Sequence, residues 1–361
     1  MIKVLHVVGK MNTGGMETLL MNYYRKIDRN IIQFDFVAVS EGKGVYDDEI
    51  KSLGGKVLHT PRYRWNDNKE FKKWWDELLS TGQYSIVHQH NIGAATTIFP
   101  VAKKYGVKTV LHSHIEYTPK DIKERAKKLF DMRAFKYTDK YLACSNEAGK
   151  SMFENRIFEV LCNAIDVRKF EYSKELRKQT RAAIDVEDNI KLIGCVGRFA
   201  KQKNHLFALD VFSEALKNDI NMRLLIIGQG DLEETIKEKI HSLNLGKYVI
   251  MLKPDPNIQK YYSAMDCFLF PSLYEGLGMV AVEAQAAGLP VIMSDTVPPA
   301  ACVCNTARLS LDADLKIWAK AVNDSCICRD RTDCVDSVIA SGYDINDNVK
   351  KLETIYKNIV Y

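Results

Sequence analysis

Short apolar runs alternate with helical patterns along almost the whole of this chain, and that alternation limits the folds open to it. In the first half the candidate strands are 3–8, 34–39, 56–59, 86–89, 109–112 and 140–143. Helical spacing of apolar residues fills the intervals, as at 16–26, 69–81 and 93–105. Strands joined through helices pair in parallel, so repeated strand–helix units predict parallel sheets covered on both faces. A second alternating set runs through 192–196, 223–227, 249–252, 267–270 and 290–293. Between the sets lies 166–189, charged and poor in strand pattern, which reads as a hinge plus a short helix. The expected fold is α/β, with two Rossmann-like doubly wound domains facing across a cleft. Ligands in such sheets bind outside the carboxyl ends of the strands. The expected boundaries are 1–168 and 169–345, with 346–361 a final helix crossing back onto the first domain.

At 361 residues, 46% hydrophobic and 27% charged, the chain has the length and balance of a globular protein with two cores. No apolar run approaches the ~18–20 residues needed to cross a bilayer. The apolar start at 2–8 is short and lacks a cleavage site, so it reads as a first strand and the expected location is cytoplasmic. Nine cysteines without a secretory signal are expected to be free thiols. Cys302, Cys304, Cys326, Cys328 and Cys334 cluster in sequence, but neither close pair has the spacing usual for zinc.

The net charge of +5 is unevenly placed: residues 1–170 carry 28 Lys and Arg against 20 Asp and Glu, and the remainder 23 against 26. The excess concentrates at 120–140, where eight bases face four acids and Ile122, Ala126 and Leu129 recur at helical spacing. The bland reading is a helix packed on the core with a solvated basic face. The sharper one is attraction to an anionic membrane surface. No recognition motif accompanies the charge, which argues against nucleic acid.

The densest chemistry lies at 270–291. An apolar strand ends at Phe270, a loop carries Glu275, and Gly278 opens a helix that includes Glu283 and stops at Gly288. A glycine turn before a helix leaves backbone N–H groups aimed at one spot, which suits a phosphate. Carboxylates on either side suit the hydroxyls of a nucleotide sugar. Gly197 and Arg198 follow another strand, with Lys203 five residues on. A guanidinium and an ammonium there can clamp a diphosphate and stabilise charge as it departs. Gly14 and Gly15 precede the first helix without the dinucleotide fingerprint, so a dinucleotide oxidoreductase is a distant reading. His112 and His114 end a strand of the first half; whether they point together is open. Asp312 and Asp314 have the letters of a metal-binding D-x-D, but helix capping is the more economical role.

Taken together, these residues resemble the retaining glycosyltransferases of family 4, which have the GT-B fold, and most of all those of bacterial capsule and exopolysaccharide synthesis. The resemblance covers nearly the whole chain, through Gly14-Gly15-Met16-Glu17, Gly197-Arg198 with Lys203-Asn204, Pro271-Ser272, and the E-x₇-E pair Glu275 and Glu283. It implies that Glu283 holds the ribose and that Gly278, Met279 and Val280 offer amides to the diphosphate. It implies that Glu275 meets the donor sugar and that Leu252-Lys253 lie near the base. Lys253 departs from the family's usual glycine. His114 is the implied sugar-contacting histidine, with His112 the alternative.

The expected activity is retaining transfer from a nucleotide diphosphate sugar, UDP-linked, to a hydroxyl of a lipid-linked glycan. Arg198, Lys203, Glu275 and His114 would form the catalytic set, with no metal or other cofactor. The expected partners are that donor, that acceptor and the inner face of the cell membrane. The rival readings are a sugar-nucleotide epimerase of the same fold and an inactive scaffold of a polysaccharide assembly complex.

Overall fold

The structure, a computed structural model, describes every residue except 13, 65–67, 91, 115–118, 120, 327–330 and 332. Lys120, at the start of the basic stretch, and Cys328 of the cysteine cluster lie outside the described residues. The chain forms two compact units, Met1–Ile165 with Asp344–Tyr361, and Asp166–Tyr343. The first ends three residues ahead of the expected boundary. There Ile165 pairs with Asp344 and accepts the Ile345 amide at 2.8 Å, so the returning chain is anchored where the first unit is left.

The first unit is built on a parallel sheet of β1 (Ile2–Val8), β2 (Ile32–Ala38), β3 (Val57–His59), β4 (Ile86–Gln89), β5 (Lys108–Ser113), β6 (Lys140–Ala143) and β7 (Glu159–Val160), in the order β3-β2-β1-β4-β5-β6-β7. β2 is buried at every position, as expected of a strand covered on both faces. On one face Tyr23, Tyr24 and Phe34 pack with Ile355 and Tyr356 of the last helix, Ile345–Val360. On the other, Phe71, Trp75 and Phe99 close the core.

The second unit has β8 (Lys191–Val196), β9 (Met222–Ile227), β10 (Val249–Leu252), β11 (Cys267–Phe270), β12 (Val291–Ser294) and β13 (Thr306–Leu309), all parallel, in the order β10-β9-β8-β11-β12-β13. In both units the order reverses beside the first strand, between β1 and β4 and between β8 and β11. Helices leaving such a pair diverge to opposite faces, which opens a crevice at the strands' carboxyl ends. At the opposite end of β11, Asp266 accepts from Arg177 at 2.7 Å and from the Leu192 amide at 2.7 Å, which ties the strand's start to its neighbours.

Two expectations need correction, and one open point is closed. Helix Ile122–Asp131 does not bury its apolar positions: Ile122 is 83% and Leu129 69% exposed, Ala126 is exposed as well, and Asp131 is its buried residue. Not all thiols are free, because Cys304 and Cys334 form a disulfide; Cys302 and Cys326 remain unpaired cysteines. His112 and His114 do lie together, with ring centroids 4.0 Å apart. Asp314, by contrast, caps helix Leu315–Ser325 by accepting from the Lys316 amide at 2.9 Å, as the economical reading had it.

Candidate functional site

The reversal between β8 and β11 gathers most of the residues expected to meet a diphosphate. β11 ends at Phe270, and the loop that follows returns at Gly278, whose φ of +89° is the left-handed conformation that glycine adopts without cost. A side chain there would press on the Phe270 ring, with a Cβ 3.0 Å from its edge. Helix Met279–Ala286 starts at once, so the amides of Met279 and Val280 precede its first intrahelical acceptor. Lys203 ends a short 3₁₀ turn after β8. Its ammonium lies 5.0 Å over the Phe270 ring and 2.6 Å from Glu275 Oε1. Gln202 holds the same loop, donating to the Tyr274 carbonyl at 3.0 Å, while its own carbonyl accepts the Leu273 amide at 2.8 Å. The Lys203 side chain is 17% and that of Glu275 7% exposed. This is a well-shielded ion pair, not a free cation.

Glu283 sits one turn into the same helix and accepts from the Tyr262 hydroxyl at 2.9 Å. Desolvation pushes its carboxyl up to about 7, against the opposing pull of that hydrogen bond and the charges of Lys203 and Lys169. Arg198 follows β8 but is exposed and has no side-chain hydrogen bond among the described residues. Leu252 ends β10, where its carbonyl accepts the Gly228 amide at 3.0 Å, and Lys253 beyond it is exposed.

In the first unit the reversal falls between β1 and β4, and there the side chains are imidazoles. His6 of β1 stands opposite His88 of β4, and His90, His112 and His114 continue the group. His90 bridges two neighbours, at 2.9 Å to His6 Nδ1 and 2.8 Å to His114 Nε2. His88 Nδ1 meets the Tyr356 hydroxyl of the last helix at 2.6 Å. Desolvation keeps all five neutral: His88, His90 and His112 fall well below the ordinary range, His6 drops to about 3, and His114 to about 4. Gly14 precedes helix Gly15–Lys26, with the Glu17 carboxylate folded against it, and space above Gly15 is open.

Sequence models of two families match the chain: Glycosyl transferases group 1 over residues 177–314 and Glycosyltransferase Family 4 over 13–169. Among curated relatives, the protein named glycosyltransferase EpsF from Bacillus subtilis is 33% identical over 98% of this chain and 96% of its own. The chain belongs to the GT-B glycosyltransferases. The capsular polysaccharide biosynthesis glycosyltransferase CapH of Staphylococcus aureus is 26% identical, over 99% of both chains. The Escherichia coli UDP-Gal:alpha-D-GlcNAc-diphosphoundecaprenol alpha-1,3-galactosyltransferase is 23% identical, over 99% of this chain and 97% of its own. The fold is that of HepE from Anabaena, solved with UDP and glucose, at a TM-score of 0.81 and 15% identity over 99% of this chain and 100% of that one.

In this glycosyltransferase the geometry joins Lys203, Glu275, Gly278 and the first amides of helix Met279–Ala286 into one group around the Phe270 ring. It leaves Arg198 near in sequence, with no side-chain partner among the described residues. Five residues were not read from the sequence. Tyr262 supplies the hydrogen bond to Glu283 from a separate helix, Gln259–Ala264. Gly228 lets β9's exit pass against the Gly197 carbonyl, where a Cβ would clash. A glycine directly after a buried strand was the available signal for it. His6 and His88 lie on strands, and His90 just past one, all distant in sequence from His114, and parallel pairing of β1, β4 and β5 brings them together.

Proposed function

We propose that this glycosyltransferase moves a sugar from a UDP-linked donor to a hydroxyl of a lipid-linked glycan in capsular or exopolysaccharide synthesis, with retention of the anomeric configuration. The observation that carries this is the ion pair of Lys203 and Glu275 beside the left-handed Gly278 at the β8–β11 reversal. A dianionic leaving group needs positive charge in place before its bond breaks. Lys203, Arg198 and the amides of Gly278, Met279 and Val280 would supply it, and a divalent metal is then not needed for that charge. Glu275 holds Lys203 until the diphosphate takes over the ammonium, and is itself released toward the donor sugar. Glu283 accepts from ribose hydroxyls, with Leu252 and Lys253 near the base. His114 contacts the sugar, and Gly14 and Gly15 let the backbone approach the donor. Displacement takes place from the face of the departing phosphate.

Support for the donor and acceptor comes from relatives: the Escherichia coli enzyme is named for UDP-galactose and a diphosphoundecaprenol acceptor, and HepE was solved with UDP. The test is nucleotide release across a panel of donors, with and without a lipid-linked acceptor extract, in the presence of EDTA. Release that depends on acceptor and survives EDTA is expected. Conversion of the donor sugar without acceptor would refute transfer, and loss of activity in EDTA would refute metal independence.

No helix among the described residues is long and apolar enough to cross a membrane. Helix Ile122–Asp131 supplies a different attachment. Its exposed Ile122, Ala126 and Leu129 lie among exposed Lys123, Arg125 and Lys127, the arrangement of a helix lying in an anionic interface. Flotation with anionic liposomes should carry the protein upward, and Ile122→Asp with Leu129→Asp should leave it at the bottom.

A further inference from the structure

Five histidines packed side by side at the reversal of the first sheet exceed what contact with one sugar requires. His90, His112 and His114 each offer a nitrogen within 4.8 Å of the others, and His6, His88 and His90 form a second such trio. The two differ in ways that decide between them. His88 Nδ1 is engaged by Tyr356 and His6 Nδ1 by His90, which leaves each only its Nε2, and all three residues of that trio are buried. In the other trio His112, 3% exposed, has neither ring nitrogen in a hydrogen bond of normal geometry, while His114 is partly exposed at the end of β5. Apart from an approach to the Leu161 backbone, the buried His112 imidazole makes no hydrogen bond of normal geometry, which is costly and calls for a ligand.

We infer that His90, His112 and His114 form a binding site for a divalent transition metal of the zinc class. Imidazole nitrogen is a favoured ligand for such ions. Tetrahedral zinc with Zn–N bonds of about 2.0–2.1 Å sets its nitrogens about 3.4 Å apart. The trio therefore closes on an ion by moving its rings about an ångström. His90 would exchange its hydrogen bond to His114 for the metal while keeping the one to His6, which fixes its orientation as outer partners of ligating histidines commonly do. Three protein ligands leave the fourth position to water or an anion. An ion seated there engages His114, so it would oppose the sugar-contacting role proposed above; the binding itself does not depend on that role.

The test uses the full chain stripped with a chelator. Titration with Zn²⁺ by calorimetry should give one ion per chain, and Co²⁺ should produce the intense visible absorption of a four-coordinate site. His112→Gln and His114→Gln should each weaken binding by at least about tenfold, a loss that even outer partners of a metal can cause. His241→Gln, an exposed histidine of helix Glu233–Ser242, should bind as the parent does. Thermal unfolding of each variant without metal separates lost ligation from lost folding, and His114→Gln, partly exposed just past the end of β5, keeps the question answerable if His112→Gln unfolds. Absence of saturable binding would overturn the site, as would unchanged affinity in His114→Gln. Because no sugar donor enters these measurements, such a result leaves the transferase reading intact.

Discussion

The two sheets share one strand order and reverse it at the same place, yet they put opposite chemistry there. At the β8–β11 reversal the side chains are charged, paired and carried on loops: Lys203 against Glu275, with a helix starting at Gly278. At the β1–β4 reversal they are neutral, stacked and carried mostly on the strands themselves, as in His6, His88 and His112. Topology settles where a ligand can sit, because diverging helices expose the strand ends. It does not settle what sits there. A loop can release a charged side chain toward an anion, whereas a strand holds a ring where register puts it.

The charged edge is expected to break most completely. Arg198→Ala and Lys203→Ala should each reduce turnover by about 10²–10³, the typical cost of removing one donor that stabilises developing negative charge. Their effects on folding should differ. Arg198 is exposed and has no side-chain hydrogen bond among the described residues, so Arg198→Ala should melt with the parent. Lys203→Ala leaves Glu275 shielded without its partner and should be destabilised by about 3 kcal/mol. Pairing it with Glu275→Gln should recover much of that stability and none of the activity. Activity near parental levels in both single variants would remove the diphosphate clamp.

The neutral edge should separate by residue. His114→Ala is expected to lower kcat by about 10²-fold with little change in melting, as for a positioned group at a reacting centre. His112 is buried between His114 and His88, so His112→Ala should chiefly lower the melting temperature. The reverse pattern, with turnover falling in His112→Ala alone, would exchange their roles.

Legibility in the sequence follows the same divide. The charged edge could be read because Gly197 to Lys203 and Glu275 to Glu283 are each local stretches following an apolar strand. The α/β architecture was readable for a like reason: strands buried on both faces leave continuous apolar runs. The five-histidine group was not, because residues 6, 88 and 112 meet only through register between β1, β4 and β5. Tyr262 was missed on the same ground. The disulfide was hidden by its separation of 30 residues, with Cys302 and Cys326 equally available as partners. Helix Ile122–Asp131 misled more subtly, since helical spacing of apolar residues reports one face and not what covers it.

Glu283 sharpens the contrast through pH. Its carboxyl is raised from 4.5 to about 7, so the folded chain keeps a proton that the unfolded chain loses in that window. Stability from this group therefore falls as pH rises from about 4.5 to about 7 and then levels, by about 3 kcal/mol in all. Glu283→Gln should abolish that slope and be the more stable form at pH 8. Nucleotide binding should move the other way, because ribose hydroxyls donate to the carboxylate and favour its ionised form. UDP affinity in the parent should rise between pH 6 and pH 8 more than in Glu283→Gln, which removes the nucleotide's own titration from the comparison. Calorimetry giving parallel profiles for the two proteins would deny the ribose role.

Glycine gives the smallest effect and the finest distinction between the edges. Gly278 has φ +89° and the Phe270 ring 3.0 Å from where a Cβ would stand, so Gly278→Ala should cost about 1–2 kcal/mol through backbone conformation alone. Gly15 opens its helix with nothing within 4 Å of the same position, so Gly15→Ala should leave stability unchanged or raise it by up to about 1 kcal/mol. If Gly15 matters because the donor's backbone contact needs that open space, the more stable variant will be the less active one. Gly278→Ala joins both losses, since the strain that destabilises the turn also re-aims the amides of Met279 and Val280. A Gly15→Ala protein with full activity would show that the first turn of that helix keeps its distance from the donor, leaving the neutral edge to the histidines.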